Sequence, residues 1–175
     1  MQVERIEEMR LIAPDERQIA ALLEAAFATD FGGKSFFQQR QHVRLVVRAD
    51  GQIVGHMGLC FRAVRLGGTL VDIVGLGDVA AHPGYRGKGI ASTLMKAAIA
   101  EAKQTQAAFF VLFGDRPIYA GHGFENVAGR VRYIDLAGAQ TGTVKEDHHP
   151  DLMVLPLMAQ TWTTGQTLDL VGHSF

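Results

Sequence analysis

The stretch Val79-Ala80-Ala81-His82-Pro83-Gly84-Tyr85-Arg86-Gly87-Lys88-Gly89-Ile90-Ala91-Ser92 decides how the rest of the chain is read. An apolar segment ends, a proline and glycines break it, and a helix-compatible run starts at once. The first N–H groups of such a helix have no partners within it, and the aligned peptide dipoles add partial positive charge there. Gly87 and Gly89 have no Cβ to hold an anion away, while Arg86 and Lys88 add formal charge. The combination predicts a cradle for a phosphate or diphosphate. Two common phosphate motifs do not account for it. A P-loop needs Ser or Thr after its lysine, and Lys88 is followed by Gly89. Gly75-Leu76-Gly77-Asp78-Val79-Ala80 spells a dinucleotide fingerprint, but more strand and then Pro83 follow it instead of a helix.

Upstream of this turn the pattern is that of strands. Val43 to Arg48 leads into Asp50-Gly51, a hairpin signal, and a long strand is expected from Gln52 to about Leu66. Gly67-Gly68 turns the chain into a further strand, about Thr69 to Ala81, so three antiparallel strands follow one another. Before them, Pro14, Asp15 and Glu16 suit a helix start, and Ile19, Leu22, Leu23, Ala26 and Phe27 form its apolar stripe. A short second helix is expected around Ser35 to Gln41, and 31–34 and 138–150 read as surface loops. Downstream, the helix opening at Ile90 should run about fifteen residues. Ala107 to Phe113 is a continuously apolar strand covered on both faces, and Asp115 to His122 is a short helix closed by Gly123. Val131 to Leu136 and Leu152 to Leu157 are further strands; the tail from Thr161 to Phe175 has no decisive pattern. This order predicts one α/β domain over 1–175, with a mixed sheet instead of a regular βαβ repeat.

Composition narrows the function classes. Of 175 residues, 17 are Lys or Arg and 18 are Asp or Glu, a net charge of -1 that argues against a nucleic-acid binder. The single cysteine, Cys60, can form no internal disulfide and no cysteine-based zinc site, and the adjacent pair His148-His149 is badly placed to share one ion, so no metal is expected. Met1 to Met9 holds three glutamates and no apolar run, unlike a secretory signal. The longest apolar run, 107–113, is far short of the roughly 20 residues that span a bilayer. A soluble cytoplasmic protein, without membrane or nucleic-acid partners, is the expectation.

Arg86-Gly87-Lys88-Gly89-Ile90-Ala91, preceded by Val-Ala-Ala-His-Pro, resembles the Arg/Gln-x-x-Gly-x-Gly/Ala motif of the GNAT acyltransferase superfamily, and the element order is similar to that family's fold. The resemblance implies a mostly antiparallel central sheet flanked by helices, and acetyl-CoA or another acyl-CoA as acyl donor. It implies that the amides of Arg86, Gly87, Lys88, Gly89, Ile90 and Ala91 hold the coenzyme A pyrophosphate. Val79, Ala80 and Ala81 would bond the pantetheine arm as if it were an added strand. Gly75 and Gly77 suit the bulge that the family places in this strand, and the amide of Val79 would face the developing oxyanion. Tyr119, in Tyr119-Ala120-Gly121-His122-Gly123-Phe124, resembles the family's tyrosine that protonates the departing thiolate; a phenol is protonated at neutral pH and has one proton to give.

A base must take the proton shed by the acceptor amine. Asp78 beside the bulge, His56 on the neighbouring long strand and Asp72 are candidates, and a water relay would also serve. Patchy similarity to the aminoglycoside 2'-N-acetyltransferases and to the nodulation N-acyltransferase points to Asp30, Phe31 and Phe175 as acceptor-side residues. Against a polycationic acceptor, Gly77 and His173 stand where carboxylates are wanted, leaving Asp30 with Glu146, Asp147 or Asp151. The tail carries Trp162, Leu168, Leu170 and Phe175, enough apolar surface to close over the acceptor or to dock in a homodimer interface. The expected activity is acyl transfer to a primary amine of a small molecule. A protein or peptide amine, or a non-catalytic acyl-CoA sensor, are the alternatives.

Overall fold

Asp50 and Gly51 both adopt positive φ, 50° and 78°, the conformation that a two-residue hairpin turn requires and that Asp and Gly tolerate best. They join β2 (Val43–Ala49) to β3 (Gln52–Leu66), and Gly67, at φ 59°, begins the turn from β3 into β4 (Thr69–Ala81). Preceding these are β1 (Val3–Glu7) and α1 (Ala13–Ala26). After them come α2 (Ile90–Ala102), β5 (Phe109–Phe113), α3 (Pro117–Gly121), β6 (Glu125–Asn126), β7 (Gly129–Ile134), β8 (Val144–His149), β9 (Leu152–Pro156) and β10 (Leu168–His173). The computed structural model describes residues 1–28, 31–136 and 140–175.

The hydrogen-bonded strand order is β6-β9-β5-β4-β3-β10-β7-β8, with β2 pairing both β1 and β3. The pairings are antiparallel except β4 with β5 and β10 with β7, so the sheet is mixed and mostly antiparallel, as expected. Packing divides the chain into two compact units, Met1–Cys60 with Gly77–Glu101 and Phe61–Leu76 with Ala102–Phe175; β3 and β4 run through both.

In the first unit, Ile19, Leu22 and Leu23 of α1 bury against Val46, Ile53 and Ala80. Polar ties also hold that helix: Gln18 Oε1 accepts the Ile53 N–H at 2.7 Å, Asp15 pairs with Arg48 at 2.8 Å, and Glu16 pairs with Arg40 at 2.7 Å. Helix α2 lies on β3 at Gly55. A Cβ there would collide with Ile90 and stand 2.9 Å from Leu94 Cδ1, so only glycine lets the helix come this close. In the second unit, Phe109 and Val111 of β5 pack with Val131, Leu152, Leu168 and Leu170.

Two expectations need correction, and one open segment is decided. No helix forms over 35–41; Ser35 and Gln41 are instead buried in irregular chain, Gln41 because its side chain fills the space left by Gly58. Part of the expected 138–150 loop is the strand β8, which bonds β7 along its length although its side chains face solvent. The undecided tail supplies β10, antiparallel to the end of β3 and parallel to β7, with Leu168 and Leu170 buried.

Because the Gly55 site has no spare volume, Gly55→Ala should lower the unfolding free energy by about 1–3 kcal/mol through overpacking. Urea denaturation monitored by circular dichroism measures it, and an unchanged midpoint would show that α2 does not bear on Gly55.

Candidate functional site

The turn after β4 is built by local bonds. His82 donates its backbone N–H to Val54 at 2.9 Å, which ends the strand, and its Nδ1 accepts the Gly84 N–H at 3.1 Å. A single helical turn over Pro83–Tyr85 follows, and then Gly87 and Gly89, both at φ 76°. A side chain at either position would be strained, yet a Cβ there would touch nothing within 4 Å: the backbone is open to solvent. The first bond of α2 runs from Thr93 N–H to the Gly89 carbonyl at 2.9 Å, so the N–H groups of Ile90 and Ala91 have no carbonyl within the helix. Arg86 and Lys88 are exposed beside them, Lys88 Nζ lying 4.4 Å from the Tyr85 ring centroid. Exposed amides, two cations and the positive end of a thirteen-residue helix therefore converge.

On β4 the zigzag is interrupted at Asp78, whose φ is 51°. The irregularity expected from Gly75 and Gly77 thus falls on the aspartate after them, a residue type that tolerates the left-handed region. The β4–β5 ladder ends in the pairs Gly75↔Val111 and Leu76↔Leu112, just before it.

Around Asp78 lies a buried polar cluster. Arg44, on β2 opposite Gly58, is fully buried. Its guanidinium grips Glu8 with two bonds, 2.6 and 3.1 Å, donates to the Ser35 carbonyl at 2.6 Å, and meets His56 Nε2 at 3.2 Å. Asp78 Oδ2 stands 3.9 Å from the same guanidinium and accepts from Gln41 Nε2 at 3.0 Å. His56 Nδ1 lies 2.7 Å from the Asp78 carbonyl oxygen. A carbonyl only accepts and a guanidinium only donates, so Nδ1 carries the proton and Nε2 offers its lone pair. Burial, and then the Arg44 charge, push the imidazole down from 6.5 to about 3, so it stays neutral. Burial pushes the Asp78 carboxyl up, opposed by the Gln41 bond and by Arg44. Burial also acts upward on Glu8, but its bonds to Arg44 and Arg40 outweigh it and hold the carboxylate below its usual range.

Tyr119, in α3, is buried. Gly114 makes room for its ring, since a Cβ there would come within 2.7 Å of Tyr119 Cε2. Burial raises the phenol, with Arg116 opposing, so it keeps its proton at neutral pH. Of the acceptor-side residues read from sequence, Asp30 lies outside the described residues. Phe31 packs between Phe27 and Phe37, with centroids 5.4 and 5.7 Å away, and Phe175 packs 5.5 Å from Phe113. Glu146 and Asp147 are engaged by Arg130 and by the Tyr133 hydroxyl, each at 2.9 Å. Among the described residues no group of three or more His, Cys, Asp or Glu is placed to hold a metal, and no helix is long and apolar enough to cross a membrane.

Sequence reasoning named Asp78 and His56 but missed Arg44, Glu8 and Gln41, which hold them. Parity gave no signal for Arg44: it shares a face of β2 with Val46 and Arg48, which the sequence pattern reads as solvated.

Residues 8–127 match the family model described as "Acetyltransferase (GNAT) domain". The chain is 30% identical over 119 residues to the uncharacterized N-acetyltransferase YhbS of Escherichia coli K12, covering 65% of this chain and 70% of that protein. The crystal structure of E. coli YhbS in complex with CoA superposes with a TM-score of 0.69 at 22% identity, covering 97% of this chain and 88% of the other. A GNAT acetyltransferase of Brucella melitensis in complex with acetyl-CoA gives 0.64 at 21% identity, covering 95% and 94%.

The neutral His56 makes stability depend on acidity. The unfolded chain binds a proton on this imidazole near pH 6.5 that the native site refuses until about pH 3, so stability is lost as pH falls through that interval. Between pH 7 and pH 5 this one group should remove about 2 kcal/mol. Asp78, shifted the opposite way, offsets part of the total. The measurement is therefore the difference between wild type and His56→Asn in urea titrations at the two pH values. Equal slopes would mean that the imidazole is not held neutral.

Proposed function

The chain belongs to the GNAT acetyltransferase family, and from that we propose that it transfers an acetyl group from acetyl-CoA to a primary amine of a small molecule. The observation that carries the reading is the turn before α2. Gly87 and Gly89 at φ 76° open the backbone to an anion, the amides of Ile90 and Ala91 are unused within the helix, and Arg86 and Lys88 flank them. This set fits a diphosphate. The end of the β4–β5 ladder at Leu76 leaves that edge of Val79, Ala80 and Ala81 unclaimed by β5, which supports the pantetheine arm as an added strand.

Acetyl-CoA supplies an activated thioester carbonyl, and the chain supplies charge and proton management. The Val79 N–H donates to the thioester oxygen as negative charge gathers there. The Asp78 carboxylate, raised by burial, takes the proton that the amine sheds on attack. As the carbon–sulfur bond breaks, the Tyr119 phenol gives its proton to the sulfur; its burial keeps that proton in place until then. His56 does not fit the role of base. It is fully buried, with Nδ1 on a carbonyl and Nε2 on Arg44.

Thiol release from acetyl-CoA is the test, with a panel of small primary amines, an N-terminal peptide amine, and no acceptor. Wild type should release thiol with a small amine. Tyr119→Phe should lower kcat by about 10²–10⁴-fold with CoA affinity retained. Arg86→Glu should weaken CoA binding about tenfold, less at high salt. Binding without release with any amine would make the protein a sensor, and preference for the peptide would move the acceptor class.

A further inference from the structure

Asp78 lies where a strand residue's carbonyl would ordinarily bond a neighbouring strand. At φ 51° that ladder geometry is broken, and the carbonyl oxygen is received by the His56 side chain at 2.7 Å. The Asp78 carbonyl and the Val79 N–H belong to one peptide plane, which is trans, so the two groups point in opposite directions. Whatever fixes the carbonyl therefore aims the amide.

We propose that His56 is a positioning residue: its Nδ1–H anchors the Asp78 carbonyl and thereby aims the Val79 N–H away from β3, as the oxyanion donor of acyl transfer. The inference rests on the assignment of the Val79 amide made above. Arg44 completes the device. It gives Nε2 a donor, which leaves only the tautomer with hydrogen on Nδ1, and its positive charge opposes a second proton on the ring. The guanidinium is itself immobilised by Glu8 and the Ser35 carbonyl, and Val46↔His56 and Arg44↔Gly58 are adjacent same-face register pairs of β2 and β3. Gln41 restrains the Asp78 side chain at 3.0 Å, so that residue is held at both its carbonyl and its carboxylate. A donor misplaced by an ångström loses much of its value for a transition state, so the full burial of Arg44 and His56 is what keeps the amide aimed.

The two amide side chains separate this role from a merely structural one. The Asn nitrogen can occupy the position of His Nδ1, facing the Asp78 carbonyl, whereas the Gln nitrogen reaches the position of Nε2, facing Arg44. The carbonyl stretch of acetyl-CoA labelled with ¹³C at the thioester carbon reports polarisation by the amide, and calorimetry with CoA reports the binding turn separately. Wild type and His56→Asn should both move the stretch to lower frequency than in free acetyl-CoA, with kcat for the Asn variant within about fivefold of wild type. His56→Gln should lose the frequency shift and about 10–100-fold in kcat while binding CoA within twofold. If Gln does not fold, His56→Leu, which leaves Arg44 bonded to Ser35, should behave as predicted for Gln. A variant without the Nδ1-like donor that keeps both the shift and kcat would overturn the role of His56 alone. Absence of the shift in wild type would overturn the Val79 assignment and this inference with it.

Discussion

The guanidinium of Arg44 is a full positive charge with no exposure to water, and the first unit is arranged so that this is tolerable. An unpaired buried ion costs several kcal/mol, and breaking a buried pair by removing one partner typically costs about 3–5 kcal/mol. Glu8 neutralises the charge with two short bonds, the Ser35 carbonyl takes one further N–H, and the His56 lone pair another. Each partner comes from a different place in the chain: the residue just after β1, the irregular segment before β2, and β3. The electrostatic demand of one side chain thus ties those segments together. It also explains why the segment 35–41 is not helical: Ser35 must turn its carbonyl inward, and Gln41 must reach Asp78.

The candidate site inherits its geometry from that arrangement and from one glycine. Gly55 sets the distance of α2 from β3, and with it the place where the N-terminal amides of the helix meet the turn at Gly87 and Gly89. The backbone at Asp78 is held in an unfavourable region by bonds from His56 and Gln41. Positive φ in the middle of a strand is sustained only where surroundings over-determine it, and such positions gather at functional sites. Burial favours the neutral form of each of three groups: it pushes the His56 imidazole down, the Asp78 carboxyl up, and the Tyr119 phenol up.

Hairpins and helices with strong local signals were legible from sequence. Asp50-Gly51 and Gly67-Gly68 bound β3, and the ends of β3 and β4 follow from those turns and from the apolar pattern between them. The stripe of α1 and the glycine turn before α2 were equally direct. The segment 35–41 misled because its composition permits a helix, while its side chains are needed as buried hydrogen-bonding groups. Strand β8 misled for the opposite reason. Val144 to Asp147 are polar or exposed on both faces, so no alternation marks the segment, and only the partner β7 makes it a strand. Strand β10 was undecidable because its two partners, β3 and β7, are distant in sequence.

The amino-acid order alone determined the open turn before α2, because two glycines, two cations and a helix start are contiguous and their chemistry is local. It also marked Tyr119 and Asp78 as groups with protons to give or take. Only tertiary structure decided what surrounds each candidate base. His56 has the better intrinsic pKa, but Arg44 and the Asp78 carbonyl occupy both its nitrogens and burial forbids its charge. A side chain's proton affinity depends on what surrounds it in three dimensions, and residues 44, 56 and 78 become neighbours only when β2, β3 and β4 pair.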